Sequence, residues 1–246
     1  MISFLTMGFS SAYGYGCWSP CSLNTGPLGT GFTVGGYGSF HTVFFNVRDK
    51  ETTIPDAGEN SFRYLERYDT IQEAPGGGGF LSYGCKRCNC LIAAVRLDAI
   101  GLAQNAKRSY SDALLQDNIV HEVGLRWILD LSFQPGFLIG KCILGYLKAG
   151  GTVSGVREQV QIKRSTSPHP VLDKKTKYHH PGGYVLGAGA NFLLMNCFSF
   201  FMEYDWHAYL TPFNSITTFN PFGFTIDTHV IKLHCNSFSF GIATQF

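Results

Sequence analysis

The chain is short of charge. Only 15% of its 246 residues are Asp, Glu, Lys or Arg, against about 25% in an ordinary soluble domain. The net charge of +2 is too small to imply a nucleic-acid partner. Long apolar runs are missing too: no stretch approaches the ~18 consecutive residues that a transmembrane helix requires, which excludes membrane-spanning helices. Pro75 is followed by Gly76-Gly77-Gly78-Gly79, yet no Gly-Lys-Ser/Thr trails it, so this is a flexible strand entry and not a phosphate loop. Nothing in the chain marks a cofactor. No basic residue precedes the apolar start Ile2-Ser3-Phe4-Leu5, so residues 1–16 lack the form of a secretory signal. The expectation is a signal remnant, or an export signal lying upstream.

What is abundant points the other way. Apolar residues reach 45% and aromatics 15%, led by 21 Phe and 12 Tyr, with 29 Gly. That mixture favours β structure with tight turns and small residues on one strand face. A chain that is apolar overall without one apolar block has two ways to bury itself. One is a large soluble core. The other is a barrel whose apolar residues alternate outward into lipid, and this also accounts for the missing charge.

Alternation with a period of two residues recurs along the chain. Between residues 119 and 133, Ile119, His121, Val123, Leu125, Trp127, Leu129, Leu131 and Phe133 share one face. Glu122, Gly124, Arg126, Ile128, Asp130 and Ser132 share the other. Between 198 and 210, Phe200, Met202, Tyr204, Trp206, Ala208 and Leu210 oppose Ser199, Glu203, Asp205 and His207. A helix would mix these sets, because its period is ~3.6 residues. Residues 91–101 repeat the pattern with Arg96 and Asp98 on the polar side, and 184–194 place Gly187 and Gly189 opposite Leu186 and Ala188. Residues 137–150 are strand-like but ambiguous in phase, since Lys141 and Lys148 fall on opposite faces.

The connections set the topology. Lys86-Arg87-Cys88-Asn89, Gln134-Pro135-Gly136 and Asn196-Cys197 read as tight turns. Long polar links, at 49–77, 106–117, 151–182 and 211–227, alternate with them. The predicted strands therefore fall near 30–48, 78–86, 89–105, 118–133, 136–150, 183–195, 198–210 and 228–246. Short turns at one rim and long loops at the other is the plan of outer-membrane barrels. The last strand adds a separate signal. Counting back from Phe246, alternate positions hold Thr244, Ile242, Phe240 and Phe238, with a phase slip near Cys235-Asn236 that predicts a bulge.

That ending resembles the C-terminal strand signature of outer-membrane proteins, and the whole of 30–246 resembles the small eight-stranded outer-membrane barrels of the OmpA/OmpX kind. The resemblance implies an all-β, eight-stranded antiparallel up-and-down transmembrane β-barrel over 30–246, preceded by a periplasmic segment at 1–29. It implies the outer membrane of a Gram-negative-type bacterium, with both termini in the periplasm. It also implies that Phe238, Phe240, Ile242 and Phe246 are read by the barrel-insertion machinery. Further expected partners are outer-membrane lipids and lipopolysaccharide, with a host-surface or envelope-protein partner. Function does not transfer with this fold.

Arg96, Asp98, Glu122, Arg126, Asp130, Glu203, Asp205 and His207 are expected to line the lumen as a polar network, because eight strands leave an interior just wide enough for side chains to fill. His207 beside Asp205 or Glu203 is the place to look for hydrolysis, but no nucleophile is marked and no enzyme is expected. Cys17, Cys21, Cys85, Cys88, Cys90 and Cys197 would gather near one rim, where an oxidising periplasm permits disulfides. Zinc is the competing use of Cys85, Cys88 and Cys90 with Cys17 and Cys21, though a second pair at ordinary spacing is lacking; no metal is assigned. Lys163, Arg164, Lys174, Lys175 and Lys177 make the third long link basic, suited to lipopolysaccharide phosphates or anionic glycans. The expected role is structural or surface-interacting, adhesin- or antigen-like, with a closed lumen. The rivals are a soluble lipocalin-like barrel holding an apolar ligand, and a barrel enzyme acting on lipid.

Overall fold

The computed structural model describes residues 29–53, 63–86, 90–103, 106–112, 117–139, 142–164, 172–195, 197–219 and 224–246. Its strands are β1 (Gly31–Thr53), β2 (Arg63–Lys86), β3 (Leu91–Leu102), β4 (Ala106–Asp112), β5 (Asp117–Ile139), β6 (Ile143–Arg164), β7 (Leu172–His179), β8 (Gly182–Met195), β9 (Phe198–Tyr209), β10 (Phe213–Phe219) and β11 (Phe224–Gln245). Three staves are each broken once. β3 and β4 both pair with β5, β7 and β8 with β6, and β9 and β10 with β11. Eight antiparallel staves therefore close into a ring, sealed where β1 meets β11. The segment 1–28, with Cys17 and Cys21, lies outside the described residues, as does Cys88.

The register fixes the geometry of closure. Pairings followed from Asp130 through Asp98 and Phe80 arrive at Gly35. Followed the other way, through Thr152, Gly183, Tyr209 and Leu233, they arrive at Phe45. Gly35 and Phe45 are ten residues apart on β1, so the ring closes with a stagger of ten. At ~3.3 Å per residue and ~4.7 Å between strands, that stagger tilts the strands by about 40°.

Strand alternation sorts the side chains sharply. Leu147 is 64% exposed while its neighbour Lys148 is 2% exposed. Phe133, Leu131, Leu129 and Trp127 on β5, Leu81 and Tyr83 on β2, and Phe238, Phe240 and Ile242 on β11 all face outward. The acids and bases that alternate with them point in. A soluble barrel carrying an apolar ligand would need the reverse, so this arrangement disposes of that rival. No helix among the described residues is long and apolar enough to cross a membrane; the strands do the crossing. The outward apolar belt runs from the rim turns up to Trp127 and Val153. Above it the outward positions turn polar, with Arg48, Arg67, Asp69, Glu73 and Lys232.

Several expected boundaries move. Residues 63–77, 106–112, 151–164, 172–179 and 213–219 are strand, although their polarity reads as loop. The long strands reach 22 to 24 residues, about twice the 9–11 that a bilayer needs. They project into water, where a polar outward face costs nothing. β5 also runs straight through Gln134-Pro135-Gly136, and the chain reverses later, between Ile139 and Ile143, leaving Cys142 at the rim. Pro135 has no N–H to give, and the ladder to β6 skips Gln134 and Pro135 before resuming at Gly136. The bulge of β11 lies opposite Asn46/Val47, at Ile231, several residues before Cys235-Asn236. Leu233 and Cys235 are apolar yet face inward, because the interior is itself apolar at that height.

Beyond the belt the ring divides into two leaves. β10, β11, β1 and β2 form one, and β4, β5, β6 and β7 the other; among the described residues no ladder joins β7 to β10 or β4 to β2. Side chains close both seams. Lys175 and Lys177 of β7 donate to the Thr218 and Ile216 carbonyls of the β10 edge. Gln72 of β2 accepts from Leu125 N at 2.9 Å and donates to Leu125 O at 3.3 Å, beside a second bulge that leaves Arg126 unpaired between Leu125 and Trp127.

A charge placed on the belt tests this orientation. Leu147→Arg, near the middle of the belt, is expected to lower folding stability in lipid vesicles by about 2–4 kcal/mol, measured by urea titration of the folded form.

Candidate functional site

The interior is built in layers. At its centre seven ionisable side chains meet, every one of them at most 3% exposed: Arg96, Asp98, Asp130, Lys148, Glu203, Asp205 and His207. Strand register explains the meeting. Asp98 of β3 stands directly opposite Asp130 of β5, and Glu203, Asp205 and His207 take successive inward positions on β9. Lys148 comes from β6, on the far side of β5 from β3.

Arg96 grips two carboxylates. Its Nη2 and Nε lie 2.6 and 2.9 Å from Asp98 Oδ1, and its Nη1 lies 3.0 Å from Glu203 Oε2. The flat guanidinium sits 3.8 Å from the ring centre of Phe80, which shields it while leaving its edge to the acids. Tyr37 donates to Asp98 Oδ1 at 3.2 Å, and Tyr146 to Glu203 Oε2 at 2.7 Å. Lys148 Nζ lies 2.9 Å from Asp205 Oδ2, 3.0 Å from Glu203 Oε1, 3.4 Å from Asp98 Oδ2 and 3.7 Å from Asp130 Oδ2. His207 Nε2 is 2.9 Å from Asp130 Oδ2. Two glycines of β8 make the room: a Cβ on Gly187 would fall 2.0 Å from Asp205 Oδ1, and one on Gly189 would fall 2.5 Å from the Tyr146 hydroxyl.

An apolar layer covers this cluster on the side away from the turns. Val43 and Phe45 of β1, Leu125 and Ile128 of β5, Val156 of β6 and Leu233 of β11 form its core. Above it, clear of the belt, lies a second polar group. Glu158 accepts from His121 Nε2 at 3.2 Å and from His179 Nε2 at 3.0 Å. Tyr68 bonds His121 Nδ1 at 2.6 Å across one seam, and His179 stacks on Phe213 at 4.3 Å across the other. Burial by itself raises the Glu158 carboxyl, but the hydrogen bonds from the two histidines outweigh it and hold the group well below the usual carboxylate range.

Of the residues expected in the lumen, the structure gathers Arg96, Asp98, Asp130, Glu203, Asp205 and His207. It does not gather Glu122 and Arg126. The bulge at Arg126 reverses the alternation, so that Val123, Leu125, Ile128 and Asp130 point inward in turn. Glu122 falls on the opposite face and accepts from Gln159 at 3.3 Å. Lys148 is the member that sequence reasoning missed. A turn at 134–136 makes 136–150 one strand of ambiguous phase, whereas the structure divides those residues between the end of β5 and the start of β6, and that division sets the phase at Lys148. The shortage of positive charge among the lumen acids was the available signal. The C-terminal residues Phe238, Phe240, Ile242 and Phe246 all lie exposed on the outside. Cys85 is exposed, Cys90 half-buried and Cys197 buried near the turn rim.

No protein-family model and no curated protein matches the chain. Among solved structures, the outer membrane protein OprG from Pseudomonas aeruginosa aligns over 89% of this chain and 98% of its own, at 13% identity and a TM-score of 0.50. Neisserial surface protein A aligns over 84% of this chain and 97% of its own, at 12% identity and a TM-score of 0.36. The attachment invasion locus protein of Yersinia pestis aligns over 85% and 99%, at 10% identity and a TM-score of 0.33. The likeness to OprG is one of fold: with the lipid-facing belt, it makes this chain an outer-membrane β-barrel.

Two substitutions probe the layers. Lys148→Met leaves the carboxylates of the central cluster under-compensated and is expected to cost about 3–5 kcal/mol in urea titration, part of which Lys148→Met/Glu203→Gln restores. Glu158, depressed in the folded state, contributes stability above the ordinary carboxylate pKa of ~4.3, and loses it as pH falls below that value. The projecting leaves should therefore gain protease sensitivity on acidification, and Glu158→Gln should flatten that pH dependence.

Proposed function

We propose that this barrel is closed and serves a structural or surface-interaction role, adhesin- or antigen-like, in the outer membrane. The observation that supports this most is the filled interior. A charged layer that satisfies itself internally lies beneath an apolar layer formed by Val43, Phe45, Leu125, Ile128 and Leu233, and an ion would have to displace both. Eight strands leave no room for an aqueous channel around such side chains. The projecting leaves then carry whatever contacts the cell makes through this protein.

Catalysis is not part of this reading. His207 is fully buried and committed to Asp130, so it cannot reach a lipid headgroup or a peptide from either side. Lipids themselves are natural partners: Trp127 tilts against His180 at 5.6 Å, at the upper margin of the belt, where aromatic girdles form. Lys174 and Lys175 are exposed on β7 above it, in reach of anionic phosphates or glycans. Phe238, Phe240, Ile242 and Phe246 supply the strand end that the insertion machinery would read. Exposed Cys85 stands at the turn rim, where a disulfide to a neighbouring envelope protein would form.

Reconstitution in a planar bilayer tests the central claim, with no sustained conductance expected; stable porin-like steps would refute it. Electrophoresis of cell envelopes with and without reductant tests the cross-link. A ladder that collapses on reduction and disappears in Cys85→Ser supports it, and an unchanged monomer removes it.

A further inference from the structure

We propose that Arg126 and Arg157, beside Trp127 on the outer wall of the barrel, bind the phosphomonoester group of an outer-leaflet glycolipid of the lipid A class. The inference rests on the reading of lipids as partners and gives it a site; it does not depend on a closed lumen.

Two cations stand here without an acid. Arg157 donates from Nη2 to Gln159 Oε1 at 2.6 Å, and its Nε is buried with no hydrogen-bond partner. The acid of the same face, Glu122, accepts from Gln159 Nε2 at 3.3 Å. Among the described residues neither arginine is in an ion pair. Arg126 is the extra residue of the bulge between Leu125 and Trp127, and a bulge re-aims the side chain it carries. It is only half-buried, whereas the interior at its height is the packed layer of Leu125 and Val156. Its guanidinium therefore lies on the outer side, where Arg157 also points.

The register places both arginines around one hollow. Across the ladder Trp127 stands opposite Gly155, and Arg157 opposite Gly124. A Cβ on Gly155 would fall 2.1 Å from Trp127 Nε1, so the indole lies over bare backbone, with exposed His180 tilted against it. Val153 is the last outward apolar residue of β6, and Arg157 follows two outward positions later. At the strand tilt given above, those four residues rise about 10 Å. The headgroup layer is about 5–7 Å deep in each leaflet, and an arginine reaches back into it along its own stem. A phosphomonoester carries up to two negative charges and three free oxygens, which suits two planar guanidinium forks. The phosphodiester of an ordinary phospholipid offers a single charge. The flat faces of Trp127 and His180 give the attached sugar a surface to lie on.

The test refolds the full chain into phosphatidylcholine vesicles containing diphosphorylated lipid A, its dephosphorylated form, or phosphatidylglycerol. Folded protein is identified by heat-modifiable migration, extracted in mild detergent, and its retained lipid counted by mass spectrometry. Wild type should retain lipid A at least about tenfold better than either other lipid, and Arg126→Gln/Arg157→Gln should lose at least about that factor. Lys174→Gln/Lys175→Gln, which removes as much charge from the exposed end of β7, should retain lipid A as wild type does. Equal retention of all three lipids, or equal loss in both double variants, reduces the effect to general charge attraction and overturns the proposal. Release by excess inorganic phosphate assigns the site to a free anion and overturns the lipid. Should the arginine variant not fold, the comparison of lipids on wild type decides alone. A barrel that folds, conducts nothing and retains no lipid A sinks this site while leaving the closed-barrel reading in place.

Discussion

The interior of an eight-stranded barrel is just wide enough for side chains to fill, so each charged side chain that points inward is stabilised chiefly by a counterion across the lumen. Lys148 is the side chain on which that requirement turns. Asp98 and Asp130 stand directly opposite each other on neighbouring strands, a pairing of like charges that a sheet disfavours. Glu203 and Asp205 share one face of a third strand. A single ammonium within 3.7 Å of all four ties β3, β5 and β9 to β6, while Arg96 joins β3 to β9. Apart from β5 and β6, which are already joined by a ladder, these contacts link strands that share none.

The same alternation that turns these groups inward builds the belt. Because a strand has two faces, each inward charge fixes an outward neighbour, and lipid accepts only apolar ones. Leu97 beside Arg96 and Asp98, Leu129 and Leu131 around Asp130, and Tyr204 between Glu203 and Asp205 follow this rule. Glycines on β8 complete it by removing the side chains that would collide with Asp205 and Tyr146.

Above the bilayer the constraint relaxes, and the architecture changes with it. Water satisfies outward polar groups there, so strands continue without an apolar face, and the ring no longer needs an unbroken ladder. The two leaves are held by an apolar core between them, by the Glu158 cluster, and by lysines and a glutamine that take over backbone hydrogen bonding at the seams. An edge strand capped by lysine ammonium groups is poorly disposed to pair with another chain.

By itself the sequence determined the strand count, the hairpin order, the outward set on β9 and β11, and most members of the buried cluster, because a period of two read against lipid leaves one solution. Tertiary structure alone decided where strands end and where they slip. A polar strand in water and a polar loop have the same composition, which hid residues 63–77 and 172–179. A bulge inserts a single residue, and whether Arg126 or Ile231 is the extra one depends on the partner strand across the ladder. That choice sends Glu122 away from the lumen. The place of Lys148 was likewise decided by where the chain reverses between β5 and β6 and by four acids brought to it by three other strands.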